Sequence, residues 1–176
     1  KIIESEIQQA NGIINEILTY SRTRELNPER ISLNSFIEEL LSSHPFPAHI
    51  TIEKLLDPSN PVVDVDVTEM KQAIRNLIGN AVEVMTSSGR LRVRTGMGEA
   101  GTAFIEIADT GPGIPPDVLE KIFTPFFTTK ARGTGLGLAV VRKVADRHRG
   151  RVDVESVIGK GTTFRLFLPI VQKVKV

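Results

Sequence analysis

Val67-Thr68-Glu69-Met70-Lys71-Gln72-Ala73-Ile74-Arg75-Asn76-Leu77-Ile78-Gly79-Asn80-Ala81-Val82-Glu83-Val84-Met85 is the stretch on which the reading of this sequence turns. Met70, Ile74, Leu77, Ala81 and Val84 recur at helical spacing, which predicts a helix from about Val67 to Met85 with those residues against a core. Asn76 and Asn80 stand one helical repeat apart and share a face, and Glu83 continues it. Asn is a poor helix former, so a pair of them in mid-helix calls for a reason. Amides so spaced can hold a hydrated cation or hydrogen-bond a phosphate, because each oxygen is a hard acceptor and each NH2 a donor. Two solvent-exposed asparagines is the plain alternative.

The flanking sequence sets this helix among strands. Ser87-Ser88-Gly89 ends it. Leu91 to Thr95 and Ala103 to Ala108 read as strands, and Gly96, Gly98 and Gly101 between them predict a hairpin. Val118 to Ile122 reads as a short helical turn and Leu136 to Arg147 as a further helix. Arg151 to Val157 and Thr163 to Leu168 alternate about Gly159-Lys160-Gly161 as a terminal strand pair. Upstream, Ile31-Ser32-Leu33 reads as a short strand or extended link. Ser35 to Leu41 is helical, with Phe36, Ile37, Leu40 and Leu41 on one side. Ile50 to Glu53 and Val62-Val63 are strands set among prolines. Strand and helix do not alternate strictly, so a doubly wound sheet is not expected. The order predicts an α+β fold, with a helical layer on one face of a mixed, mostly antiparallel sheet.

Further upstream, Ile3, Ile7, Ala10, Ile14, Ile17 and Ser21 form a heptad seam that Ile2, Ile13, Leu18 and Tyr20 widen into the face of a bundle helix. The pattern is already running at Lys1 with no N-cap, so a helical partner is expected before it. A lone helix folded back on the main domain is the alternative. Arg22 to Arg30 is polar and holds Pro28, which should interrupt the helix.

Composition narrows the function. The 176 residues carry 22 Lys plus Arg against 21 Asp plus Glu, a net charge of +1, which argues against nucleic acid as the main ligand. The absence of Cys removes disulfides, thiolate chemistry and Cys-based zinc sites. His44, His49 and His148 have no metal-ligand spacing. No apolar run reaches membrane-spanning length, and no membrane contact is expected of this chain.

Three further stretches carry chemistry. Asp109-Thr110-Gly111-Pro112-Gly113-Ile114 follows a strand, where a carboxylate can accept from an exocyclic amine and glycines let backbone approach a ligand. An ordinary turn has the same composition. Gly133-Thr134-Gly135-Leu136-Gly137-Leu138 precedes a helix, whose first N–H groups make a phosphate site. It lacks the enclosing βαβ unit of a dinucleotide fingerprint and the Lys of a Walker loop. Between them, Phe123-Thr124-Pro125-Phe126-Phe127-Thr128-Thr129-Lys130 reads as a lid, or as a loop pinned to the core by Phe123 and Phe126.

Taken in order, Asn76 to Ala81, Asp109 to Ile114, Phe123 to Phe127 and Gly133 to Leu138 resemble the asparagine, first glycine, phenylalanine and second glycine boxes of sensor histidine kinases. Their superfamily also holds DNA gyrase, the Hsp90 chaperones and the mismatch-repair MutL ATPases. The resemblance covers about Ser32 to Pro169, and the Phe-Phe-Thr-Thr-Lys lid is most similar to the nitrogen-regulation (NtrB-like) branch. Gly159 to Phe164 is similar to a last glycine box near the adenine pocket. Ile13 to Ser21 resembles the end of the second helix of the dimerisation and phosphoacceptor hairpin.

The resemblance implies a two-layer α/β sandwich of Bergerat type, preceded by part of that helical hairpin. It divides the chain into residues 1–27, helix end and linker, and 28–176, the catalytic ATP-binding domain. It implies ATP and Mg2+ as cofactors. Asp109 would accept from the adenine amine, with Gly111, Gly113, Ile114, Phe123, Thr162 and Thr163 about the base. Asn80 would hold Mg2+ and Asn76 would support metal or phosphates. Gly133, Gly135, Leu136 and Gly137 would meet the phosphates, and Lys130 the γ-phosphate. Asn80, Glu83 and Lys130 are the implied catalytic residues. Many members carry a basic residue where Glu83 stands; an acid there would orient the attacking histidine. The superfamily's hydrolases carry a Glu where Asn76 stands, so phosphoryl transfer is expected over hydrolysis.

The implied partners are the phosphoacceptor helix, a cognate response regulator and a second copy of the parent protein, in the cytoplasm. None of the three His fits the acceptor motif, so this chain is expected to bind ATP without phosphorylating itself. A serine kinase of the anti-sigma type shares the ATP fold but lacks the lid and the preceding helix. A degenerate nucleotide-sensing scaffold is the non-enzymatic alternative.

Overall fold

The computed structural model describes residues 25–130 and 133–170. The heptad helix expected before Arg22 lies outside the described residues. In chain order the elements are β1 (Glu29–Ser32), α1 (Leu33–Ser43), β2 (Ile50–Leu55), β3 (Val62–Val65), α2 (Val67–Val84), β4 (Gly89–Met97), β5 (Thr102–Asp109), α3 (Pro116–Leu119), α4 (Gly137–Arg147), β6 (Arg151–Val157) and β7 (Gly161–Pro169).

The main sheet has the order β2-β4-β5-β7-β6. Only β2 and β4 run parallel; the other neighbours are antiparallel. β1 and β3 form a separate antiparallel ribbon, joined to the end of β7 by a bridge between Val63 and Ile170. Strand alternation decides which side chains meet the helices. Leu91, Val93, Ile105, Ile107, Phe164, Leu166 and Leu168 are buried in one core with Phe36, Ile37 and Leu40 of α1, Ile74 and Leu77 of α2, and Val141 and Val144 of α4. Among the described residues the opposite face is covered by side chains and not by a helix. Arg94 and Arg151 lie over the Phe104 and Phe167 rings, and Arg165 bridges Glu106 and Glu155. The architecture is the expected two-layer α/β sandwich on a mixed, mostly antiparallel sheet.

α2 and α4 lie antiparallel, and α4 is fastened to α2 at both of its ends. Asp66 caps α2 by accepting from the N–H groups of Thr68 and Glu69, each at 3.1 Å. The Asp66 N–H donates to His148 Nε2 at 2.9 Å, while His148 Nδ1 lies 2.8 Å from the Val144 carbonyl. The ring therefore carries its proton on Nδ1, which donates to that carbonyl. Arg147 pairs with Glu69 at 3.3 Å across the same end. At the other end of α4, about 15 Å away, Asn76 Nδ2 from the middle of α2 donates to the Gly137 carbonyl at 3.0 Å.

Three local readings change. Leu33 is not in an extended link; it is the first residue of α1 and fully buried, because the Ser32 side chain accepts from the Ser35 N–H and starts the helix two residues before Ser35. Val84 does not face the core: it is 36% exposed at the last turn of α2 and lines a cavity. Leu136 is the N-cap of α4, which starts at Gly137.

Asp66 also accepts from the Asn27 N–H and is buried, so its loss removes a helix cap together with a tie to the incoming chain. Asp66→Ala is expected to cost about 2 kcal/mol in urea unfolding, the upper end of N-cap substitutions, and Asp66→Asn less, since the amide oxygen can still cap.

Candidate functional site

A cavity of about 750 Å³ opens between α2, the end of β5, the segment 112–130 and the start of α4. Asn76, Asn80 and Glu83 of α2 line it together, as the shared helix face requires. Gly79 lies between them, and a Cβ there would meet nothing within 4 Å, so the helix is bare at that point.

Asp109 is the last residue of β5, where a strand end leaves the sheet and its side chain turns into the cavity. It is buried, at 9% exposure. Its Oδ1 accepts from the Gly111 N–H at 2.8 Å and the Thr162 N–H at 3.3 Å. Oδ2 makes no hydrogen bond among the described residues. Burial pushes this carboxyl above the ordinary carboxylate range, and the two N–H donors oppose the shift. Thr162 Oγ1 lies 2.9 Å from Ser156 Oγ, and Ser156 accepts from the Ile114 N–H at 2.8 Å, which ties the first glycine loop to the β6–β7 turn.

The two glycine loops owe their shape to backbone contact. Gly113 has φ +75°, and a Cβ there would overlap the Val157 carbonyl. Gly135 has φ +70°, and a Cβ there would overlap the Phe126 backbone, whose N–H donates to the Gly135 carbonyl at 3.0 Å. The second glycine loop is thus built to hold the preceding segment as well as to approach a ligand. α4 begins with no side-chain cap, and Gly137 and Leu138 line the cavity. Uncapped N–H groups at a helix start suit an anion.

Lys130 reaches across the cavity. Its Nζ donates to Asn80 Oδ1 at 3.0 Å and to Glu83 Oε2 at 2.5 Å. An ammonium on these two oxygens is a stand-in for a cation: the amide and carboxylate donors fit a hard divalent ion. Among the described residues no three His, Asp or Glu side chains converge as a metal site, so Asn80 and Glu83 are the side-chain oxygens that such an ion would meet here.

Most of the residues singled out in the sequence meet in this one cavity: Asn76, Asn80, Glu83, Asp109, Gly113, Ile114, Lys130, Gly133, Gly135, Gly137 and Thr162. Others do not line it. Thr163 follows the alternation of β7 to the outer face of the sheet, opposite Ala108 and Glu155. Leu136 is fully buried in the core, and Gly111 is buried behind Asp109. Phe123 packs edge-on against Phe164, with Arg142 over its ring. The Phe126 side chain does not pin the loop to the core: it is 65% exposed at a positive φ of 66°, and Phe127 takes the place at the cavity. The sequence reading missed Arg75, and the apolar wall of Val118, Ile122, Leu138 and Phe164. Arg75 left a signal as the neighbour of Asn76 on the same helix, and Leu138 and Phe164 stand at the ends of the second and last glycine boxes; Val118 and Ile122 were read only as a helical turn.

A family-wide sequence profile described as "Histidine kinase-, DNA gyrase B-, and HSP90-like ATPase" matches residues 65–172, the part that builds this cavity. The chain belongs to that family. Within it, the chain is the ATP-binding catalytic domain of a histidine kinase. It is 36% identical over 172 residues to the signal transduction histidine-protein kinase AtoS of Escherichia coli strain K12, covering 96% of this chain and 28% of that protein. Full-length ShkA, solved in complex with AMPPNP, matches with a TM-score of 0.79 at 26% identity, over 92% of this chain and 36% of that one. Histidine kinase ThkA, solved in complex with the response regulator protein TrrA, matches with a TM-score of 0.77 at 30% identity, over 97% of this chain and 50% of that one. The chain therefore spans well under half of AtoS, and the histidine-kinase domain seen here is one part of such proteins. Among the described residues no helix is long and apolar enough to cross a membrane.

Gly135→Ala is expected to destabilise this histidine-kinase domain by more than the roughly 1–2 kcal/mol of a left-handed non-glycine residue, because the added carbon also strikes Phe126. Urea unfolding measures the loss. A cost below 1 kcal/mol would show that the Phe126 segment gives way freely.

Proposed function

We propose that the cavity binds Mg2+–ATP with the adenine amine on Asp109 and the triphosphate between α2 and the start of α4, and that the γ-phosphoryl group passes to a histidine nitrogen on a dimerisation helix. The observation that carries this reading is convergence. Asp109 at a strand end, the Asn76–Asn80 face, an uncapped helix start and Lys130 all meet in one cavity. The apolar wall of Val118, Ile122, Leu138 and Phe164 suits a purine ring, and Asp109 Oδ2 suits its amine. Mg2+, when bound, supplies charge to offset the phosphates as the terminal P–O bond breaks and a P–N bond forms. Asn80 is the residue to hold it. Asn76 steadies the glycine loop through Gly137 and keeps its own oxygen for the ligand.

Residues 1–27 are proposed as the end of the second hairpin helix and its linker, ahead of the catalytic domain in 28–176. The Asn27 N–H donates to Asp66 of the domain, so the proposed linker is tied down by its last residue. The parent protein is proposed to work as a homodimer in the cytoplasm and to pass phosphate to a response regulator, a pairing supported by the ThkA–TrrA complex. Calorimetric titration with a non-hydrolysable ATP analogue, with and without Mg2+, tests the cavity. Adding a separate hairpin that bears the acceptor histidine then tests labelled phosphate transfer. Absence of binding would overturn the reading, and binding without transfer would favour a nucleotide sensor.

Asp109→Asn separates function from stability. The folded carboxyl titrates above its unfolded value, so its contribution favours folding below the unfolded pKa and is lost as pH rises through the folded one. At neutral pH the buried charge costs stability. The amide is therefore expected to fold as well as Asp or better, while ATP affinity falls roughly ten- to hundred-fold for the lost charge-assisted hydrogen bond. Calorimetry and urea unfolding on the same variant check both. In Asn80→Ala the affinity gain from Mg2+ should shrink; an undiminished gain would place the ion elsewhere.

A further inference from the structure

Glu83 and Lys130 stand apart from the rest of the site, because their charges answer each other across its mouth. Asn80 and Glu83 come from neighbouring turns of α2, and Lys130 from the far end of the segment that covers the cavity. Its ammonium lies 3.0 Å from Asn80 Oδ1 and 2.5 Å from Glu83 Oε2. The Lys130 side chain is 33% exposed and Glu83 61%, so the pair sits at the rim, where exchange with an incoming ion is unobstructed. Within residues 124–130, no other side chain hydrogen-bonds to α2 among the described contacts. The segment is otherwise held by the Phe126 N–H on Gly135 and by its own turns, such as the Lys130 N–H on Thr128.

An amide oxygen that accepts from an ammonium cannot also lie about 2.1 Å from a divalent ion, because the two cations would repel at contact distance. Lys130 and a metal on Asn80 are therefore mutually exclusive in this arrangement. We propose that Asn80 and Glu83 form a cation seat that the Lys130 ammonium fills, latching the segment 124–130 onto α2 until a divalent cation with its nucleotide displaces it. The proposal rests on the assignment of the cavity to Mg2+–ATP. Glu83 then acts as a positioning residue: its carboxylate keeps Lys130 at the metal position before loading. Displacement frees the ammonium for the incoming phosphates, and Glu83 exchanges its Lys130 partner for the divalent ion.

The latch acts in the nucleotide-free protein, so it is tested there by amide hydrogen exchange of residues 124–130. Glu83→Gln and Lys130→Met are each expected to raise exchange of that segment about two- to fivefold, the range for a rim ion pair. The double variant should show no more than either single change, while α4 stays as it was. Equal exchange in all four proteins would overturn the latch, and so would additive effects. A second measurement follows Mn2+ binding to the nucleotide-free protein by electron paramagnetic resonance. Lys130→Met should tighten Mn2+ at least threefold, and Asn80→Ala added to it should abolish the gain; unchanged Mn2+ affinity in Lys130→Met would overturn the seat. Both readouts are independent of ATP, so failure of nucleotide binding would remove the functional reading and leave the latch result intact.

Discussion

The angular setting of α2 about its own axis is the constraint on which the site depends. One helix carries Met70, Ile74, Leu77 and Ala81 into the core and Asn76, Asn80 and Glu83 into the cavity. A rotation of a single residue position, about 100°, would bury the amides and expose the leucine. Core packing opposes that rotation, and so do the ties to α4. Asp66 and Glu69 hold the start of α2 against His148 and Arg147, and Asn76 holds its middle against Gly137. The last of these ties is itself made by a cavity residue. The same amide that faces the ligand space sets the distance between α2 and the glycine loop.

The glycine loops show how close backbone contact shapes the other wall. Gly113 rests on the Val157 carbonyl and Gly135 on the Phe126 backbone. Each contact leaves no room for a side chain, so each loop is held by a neighbour and not only by its own turn. The uncapped start of α4 is held in place by the second of these loops. Stability and the proposed anion binding are therefore joined there, since unsatisfied N–H groups are tolerable where a ligand or water can reach them.

Charge is arranged locally in a chain whose net charge is only +1. Asp109 is buried with its Oδ1 held by two N–H donors, and the cost of that burial is the condition for a selective acceptor. Lys130 is neutralised by Glu83 at the opposite side of the cavity. In the reading proposed above, a polyanionic ligand meets positive charge that is already partnered, and loading is an exchange of partners. The ATP-binding domain needs no overall basic surface for this, which agrees with its balanced composition.

The periodicity of residues 67–85 was enough to place Asn76, Asn80 and Glu83 on one helix face, because helical geometry is local. The end of β5 at Asp109 and the glycines beside it were legible for the same reason. Helix starts were less so: the Ser32 cap moved Leu33 into α1, and Leu136 became a cap. The side of the sheet to which Thr162 and Thr163 point was not legible, since a one-residue shift of register reverses it. Nor was the exposure of Val84 and Phe126, which depends on what packs above them. The partners of Lys130 and the apolar wall of the cavity come from segments far apart in the chain. Local spacing in the sequence determined which residues share a face. Only the tertiary structure decided which faces meet, because contacts between distant segments are set by the packing of the whole core.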